Sequence, residues 1–316
     1  MTLFANLPAD IRERILARAR GKRIVFPEAA DARVQTAAQM LLRDACVTSV
    51  LLSEKELPRL LQQTQDVIER RAQQRGKKIT AELLASASDP FYAAGAMLEL
   101  GHADAAVGGA VATTAHVIRA ALSTIGSNPQ APLVTSCFLF KLREPTSGGE
   151  EVVLYADAGV VPQPDAAQLV HIAALSAQGF SGWTGREARV AFLSFSTNGS
   201  AQHADVEKVR AASAAFAAAH PHIPSEGELQ FDAATVPEVA LRKNPHSRLA
   251  GSANVFVFPD LDAGNIAYKV TQRLAGAEAW GPLLLGTAKP YSDLSRGASA
   301  LDIAHVALLT LAMASS

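Results

Sequence analysis

Short apolar runs alternate with longer amphipathic segments along most of this chain, and that alternation sets the fold class. Arg23–Pro27 is an apolar run closed by proline, and Ala32–Arg43 then places Val34, Ala37, Leu41 and Leu42 at helical spacing. The same succession recurs. Val47–Leu52 precedes the helix candidate Glu54–Gln63. Strand candidates Asp104–Val107, Pro132–Phe140, Val152–Tyr155, Ala188–Phe195, Leu229–Phe231, Ala253–Phe258 and Trp280–Leu285 are interleaved with helix candidates. Those helix candidates are Ala166–Ala177, Asp205–Ala219, Val236–Arg242, Gly264–Leu274 and Ser299–Ala314. Strands separated by helices predict βαβ units and largely parallel sheets covered on both faces. At 316 residues the chain is long enough for two such α/β lobes with a cleft between them. The turns at Gly126–Pro132 and Gly281–Pro282 are candidate crossing points.

Composition removes several function classes. The 49% of hydrophobic residues can fill a large core, which excludes a disordered chain. With 29 Lys+Arg against 30 Asp+Glu, the net charge of -1 lacks the basic excess of a nucleic-acid binder. No stretch approaches about 18 uncharged apolar residues, and Met1–Arg20 reads as an amphipathic helix without the apolar centre of a signal peptide. The 2 cysteines, Cys46 and Cys137, both lie in apolar runs and read as buried, reduced thiols. The expectation is a soluble, cytoplasmic protein with no metal site, since His220 and His222 have no third ligand nearby.

Polar residues that can carry chemistry gather where strands hand over to helices, the position in which α/β folds bind ligands. Ser295, Arg296 and Asp302 stand just before and within the first turn of the last helix, where free N–H groups and the helix dipole favour anions. Asp302 has two readings: a general base, or the third position of a capping box begun by Ser299. His305 follows three residues on and can face Asp302. Gly108-Gly109 leads to Thr113 and Thr114 at the start of a helix, which is again an anion-friendly geometry, and the helix's stripe of Val117, Ala121, Leu122 and Ile125 leaves Arg119 on the other face, either as a solvated charge or as a ligand-binding residue. Arg33 sits early in the helix after the first strand, capped by Asp31, and is either a cleft residue or a surface charge. Glu69-Arg70-Arg71 reads as a solvated helix face. In Ser194–Ser200 small hydroxyl residues and Gly199 allow backbone amides to approach a phosphate. Gly264–Lys269 opens another helix, and Glu228 and Asp232, read as a strand pair, would share one face. Neither G-x-G-x-x-G nor the P-loop pattern is present.

The ordered segments VFPEAADAR, YADAGVVPQPD, SFSTNGSA, GELQFDAA, ANVFVFPDLDAGNIAYKVTQRLAGAEAWGP and KPYSDLSRGASALDI resemble the phosphate acetyltransferase (phosphotransacetylase) family in its short form. The resemblance runs from about Arg23 to the C-terminus. It implies one discontinuous lobe at 1–131 plus 283–316, a second at 132–282, and a homodimer. It implies reversible acetyl transfer between acetyl-CoA and inorganic phosphate, giving acetyl phosphate and CoA, in acetate metabolism. No tightly bound cofactor is needed, coenzyme A being a substrate. On the residues that match, Asp302 would be the base, with Ser295 and Arg296 at the reacting group. Arg33, Arg71, Arg119, Thr113 and Thr114 would hold phosphate, and Ser196, Thr197, Ser200, Asn265 and Lys269 would hold CoA. Ala120 stands where the family often has proline, and the glycine turn reads Gly-Gly-Ala instead of Ser-Gly-Ala. Basic residues crowd Arg70–Lys78, and these departures bear on Arg71 and on the surroundings of Arg119. Three alternatives remain open: a phosphate propionyl- or butyryltransferase, a non-catalytic acetyl-CoA or acetyl phosphate binding paralogue, and an NAD-linked dehydrogenase.

Overall fold

The computed structural model describes residues 2–131 and 133–314. Met1 of the N-terminal helix candidate and Pro132 at the head of the fourth apolar run lie outside the described residues. The chain divides into two compact units, Met1–Val134 with Gly281–Ser316, and Thr135–Trp280.

In the first unit α1 (Ala9–Ala19) leads to β1 (Arg23–Phe26), α2 (Ala32–Ala45) and β2 (Thr48–Leu51). Then come α3 (Leu57–Gln74), the short α4 (Ala81–Ala85), α5 (Pro90–Glu99), β3 (Ala105–Val107) and α6 (Thr114–Thr124). The sheet is four-stranded, in the order β10-β3-β1-β2, where β10 is Tyr291–Ser292, and every pair is parallel. The unit ends in α12 (Ala300–Met313), which buries Ile303 to Ala312 without a break. A helix apolar on all sides must be enclosed.

The second unit holds β4 (Thr135–Lys141), β5 (Val152–Ala156), α7 (Ala166–Thr184), β6 (Val190–Leu193), α8 (Ala204–Ala219) and β7 (Ser225–Leu229). It continues through α9 (Phe231–Thr235), α10 (Pro237–Lys243), β8 (Val255–Val257) and α11 (Leu261–Arg273). On β9 (Glu278–Leu285) the chain passes back to the first unit. The sheet order is β7-β6-β8-β5-β4-β9. Pairs β7-β6, β6-β8 and β8-β5 are parallel, and β4-β5 is antiparallel. Phe140, Tyr155, Phe256 and Phe258 are buried in one cluster with Leu193 and Leu229.

Five local expectations need correction. The strand expected at Leu229–Phe231 lies earlier, at β7, and Gln230 already has the extended geometry that precedes α9. Glu228 and Asp232 therefore share no strand face: Glu228 is on β7, and Asp232 lies on α9, paired with Lys243. Cys46 is exposed, because it caps α2 in the left-handed conformation (φ 55°) and its side chain turns outward. Leu42 is 64% exposed, since the buried row of α2 runs through Val34, Ala37, Leu41 and Ala45. Finally, α3 runs to Gln74, so Arg71 lies on its last turn and is half-buried. Among the described residues no helix is long and apolar enough to cross a membrane.

Candidate active site

The glycine turn that follows β3 is occupied by the chain's own carboxylate. Glu28, just after β1, accepts hydrogen bonds from the backbone N–H groups of Gly109, Ala110, Val111 and Ala112 at 2.7–2.9 Å. Four successive amides on one carboxylate make the anion cradle that the glycines suggested, with its anion built in. Both threonines at the start of α6 are also engaged. Thr113 is the N-cap, and its Oγ1 accepts from His116 N–H. Thr114 Oγ1 donates to Asp293 Oδ2 at 2.5 Å.

Arg33 is fully engaged with the protein. Its Nε and Nη2 donate to Asp31, Nη1 donates to the carbonyls of Arg296 and Ala298, and Nη2 also donates to Ala110 O. Those five bonds use all five N–H donors of a guanidinium. Arg33 thus braces the glycine turn and the 296–298 backbone, and a phosphate would have to displace one of these bonds. Arg71 is partly engaged: Nε donates to Thr124 O at the end of α6, and Nη2 pairs with Glu99 at 3.4 Å.

Arg119 and Arg296 differ from both. Each is exposed, and among the described residues neither guanidinium makes an ion pair or hydrogen bond. Ser295 is exposed beside Arg296. Asp302 stands half-buried in a complete capping box. Its Oδ2 accepts from Ser299 N–H (2.9 Å) and Ser299 Oγ (2.8 Å), while Ser299 Oγ accepts from Asp302 N–H (3.2 Å). The cap uses one carboxylate oxygen, and among the described residues Oδ1 makes no hydrogen bond. Both readings of Asp302 are thus compatible within one side chain. His305 does not serve it: Nε2 accepts from Phe4 N–H at 2.9 Å, and the ring stacks on Phe4. Burial pushes the His305 pKa down to about 4, against the opposing pull of Asp302.

Asp293 was not singled out from sequence. Its carboxyl is fully buried, and burial pushes its pKa up to about 7 despite the Thr114 hydrogen bond, with Glu28 adding to the rise and Arg296 opposing it. Its sequence signal is its place at the head of the Asp-Leu-Ser-Arg-Gly segment, next to Ser295 and Arg296.

In the second unit the 194–200 loop is closed in a similar way. Ser196 Oγ and Gly199 N–H donate to Glu228 Oε1 at 3.0 and 2.8 Å. Arg210 grips the same carboxylate through Nε and Nη2. Burial alone would raise the Glu228 pKa, but Arg210, Gly199 and Ser196 outweigh it and hold the pKa at about 2. Thr197 N–H donates to Ser200 Oγ, and Gln230 N–H donates to Thr197 Oγ1. Asn198 and Gly199 are both left-handed (φ 47° and 81°), the turn that lets the Gly199 amide reach Glu228. On α11 Asn265 Nδ2 donates to Ala158 O, and Lys269 Nζ donates to Asn265 Oδ1. The buried Asp157 organises the adjacent loop, accepting from Thr135, Ser136 and three backbone amides at 159–161. Among the described residues no group of three or more His, Cys, Asp or Glu side chains is placed to hold a metal ion.

The family described as Phosphate acetyl/butaryl transferase matches residues 10–311. The chain belongs to that family. It is 43% identical over 305 residues to a phosphate acetyltransferase of Paracoccus denitrificans, covering 93% of this chain and 95% of that one. It is 41% identical over 324 residues to the phosphate acetyltransferase of Acetivibrio thermocellus, covering 96% and 97%. A solved phosphotransacetylase from Streptococcus pyogenes superimposes with a TM-score of 0.86 at 33% identity, covering 97% of this chain and 98% of that chain. Membership makes the chain an acyltransferase and removes the dehydrogenase alternative.

Proposed function

We infer that the chain is a phosphate acetyltransferase that exchanges acetyl between coenzyme A and inorganic phosphate by direct attack of the CoA thiolate. The observation that carries this reading is the 295–302 segment, which holds both an Arg296 guanidinium without an ion pair or hydrogen bond and an Asp302 carboxylate whose Oδ1 accepts none, among the described residues. The named activity of the relatives at 38–43% identity supports it.

Asp302 Oδ1 accepts the proton of the CoA thiol, since the thiolate is the nucleophile and a free thiol has a pKa of about 8.5. The sulfur forms a bond to the acetyl carbon of acetyl phosphate. The bond from that carbon to the phosphate oxygen then breaks, and phosphate departs. In the reverse direction phosphate attacks the thioester and Asp302 returns the proton to sulfur. Arg296 and Ser295 stabilise the charge that builds on the carbonyl oxygen or on the leaving phosphate. Arg119 and Arg71 hold the phosphate, as planar guanidinium groups do well. Arg33, Thr113 and Thr114 serve the phosphate by fixing the backbone and the α6 terminus around it. Ser200, Asn265 and Lys269 take CoA, which is a substrate and not a resident group, whereas Ser196 and Thr197, expected to join them, are buried and hold the loop in shape through Glu228 and Gln230. The homodimer and the cytoplasmic location belong to the same reading.

The test is a thioester-absorbance assay with CoA and acetyl, propionyl and butyryl phosphate. Fastest turnover with acetyl phosphate is expected. Fastest turnover with butyryl phosphate would make the chain a butyryltransferase, and purified protein inactive with all three would make it a binding paralogue. Light scattering is expected to give twice the mass of one chain.

A further inference from the structure

We propose that Asp293 is a positioning residue for acyl transfer, its carboxyl tying the segment that carries Ser295 and Arg296 to the first turn of the helix that carries Arg119. The proposal rests on the roles given to Ser295, Arg296 and Arg119 above.

The geometry begins at two neighbouring parallel strands. β10 and β3 pair through Tyr291–Ala106 and Ser292–Val107, and both end at the same edge of the sheet. Past that edge the two chain segments diverge, one into the glycine turn and α6, the other into residues 293–299. Asp293 is the first residue beyond β10, and Thr114 is the first residue of α6. The 2.5 Å hydrogen bond between their side chains joins the segments just after the strand pairing stops.

The glycine turn leaves room for this carboxyl. Gly109 has φ +108°, and a Cβ there would lie 2.2 Å from Asp293 Oδ1 and 2.9 Å from Leu294 N. Any larger residue would expel the carboxyl or move the segment. On its far side the segment is held by Arg33 through the carbonyls of Arg296 and Ala298. The backbone is thus fixed at 293 and at 296–298, while the Ser295 and Arg296 side chains between and beside these anchors stay exposed. A rigid mount for an unpaired cation suits a group that must meet developing charge without reorganising first.

Burying a carboxyl with few partners is costly, and packing alone would favour an apolar residue. Among the described residues Asp293 Oδ1 is buried without a hydrogen bond. Its side-chain partner is Thr114 at Oδ2, and the Leu294 backbone N–H beside it also favours the carboxylate.

The experiment compares Asp293→Ala, Asp293→Asn and Thr114→Val with the wild type in steady-state acetyl transfer from acetyl phosphate to CoA. Asn keeps an acceptor for Thr114, whereas Ala does not. Asp293→Ala is expected to lose about 30–100-fold in kcat, the scale of a displacement near 1 Å, with the KM for CoA changed by less than about twofold. Asp293→Asn is expected to return to within about threefold of wild-type kcat. Wild-type turnover in Asp293→Ala would overturn the proposal. So would equal losses in the Ala and Asn variants, which would mark a packing defect. If Asp293→Ala does not fold, Thr114→Val decides: a slower kcat at unchanged CoA KM supports the tie, and unchanged kcat refutes it. Wild-type protein that transfers no acetyl group would instead sink the functional reading itself.

Discussion

The glycine turn after β3 and the 194–200 loop of the second unit are built alike and charged differently. Each reads in sequence as a seat for an outside anion, and each is filled by a glutamate of the chain itself. Glu28 takes four amides of the turn, and Glu228 takes the Gly199 amide and the Ser196 hydroxyl. Glu228 also has Arg210 against it and so stays ionised down to about pH 2. Glu28 makes no ion pair among the described residues, and its negative charge helps keep the neighbouring Asp293 protonated up to about pH 7. The second loop is electrically closed. The first unit leaves its cations outside the cradle, at Arg296 and Arg119, where a substrate can reach them.

The largest effect expected from this contrast is on turnover. Arg296→Gln should lower kcat by about 10²–10³, the loss typical of one oxyanion donor, with no change in Tm. Arg33→Gln should instead lower Tm, because it breaks five internal bonds. A Tm loss in Arg296→Gln would erase the distinction between free and engaged arginines.

Next comes the pH dependence of stability in the first unit. A carboxyl whose folded pKa lies near 7, above an unfolded value of about 3.9, binds more protons folded than unfolded. Stability therefore falls as pH rises from about 4 to 7, by on the order of 4 kcal/mol for Asp293 alone. Asp293→Asn should be more stable than wild type at pH 8, and the difference should vanish near pH 4. Chemical denaturation at the two pH values measures it, and a parallel offset at both would contradict the assignment.

Smaller effects are expected in the second unit, with the opposite sign. Glu228 has a depressed folded pKa, so its contribution is complete above about pH 4.5 and is lost as pH falls toward 2. Allowing for the exposure of Arg210, that contribution is about 1–3 kcal/mol. Glu228→Ala, which strands the Ser196 and Gly199 donors, should cost about 2 kcal/mol at pH 7 in urea unfolding. A loss confined to CoA affinity, without a stability change, would show that the loop is not closed on this carboxylate. Ser299→Ala removes one cap and should cost about 1 kcal/mol of stability.

The fold was legible because unbroken apolar runs mark the buried strands, as in β4 and β5, and helical stripes survive where burial is one-sided, as in α2 and α6. It was less legible at α5 and β10. α5 is buried at seven of its ten positions and shows no stripe to read. β10 is two residues long, and its place beside β3 depends on a partner nearly two hundred residues earlier. At the site, Ser295, Arg296 and Arg119 could be chosen from their positions at helix starts and on a helix face away from the core. That Arg33 is engaged on all donors could not be read, because three of its acceptors are carbonyls, of Ala110, Arg296 and Ala298. Every residue has a carbonyl, so a bond to one leaves no mark in sequence. Asp293 stayed hidden for a related reason: its partner, Thr114, lies 179 residues away.

Asp302→Asn in the CoA and acetyl phosphate assay tests the central claim most directly, since Asp302 is both a helix cap and the proposed base. Asparagine keeps an oxygen for the cap but cannot accept the thiol proton. Turnover is expected to fall by about 10²–10⁴ with Tm little changed. Turnover within a few-fold of wild type would reduce Asp302 to a cap and contradict the account.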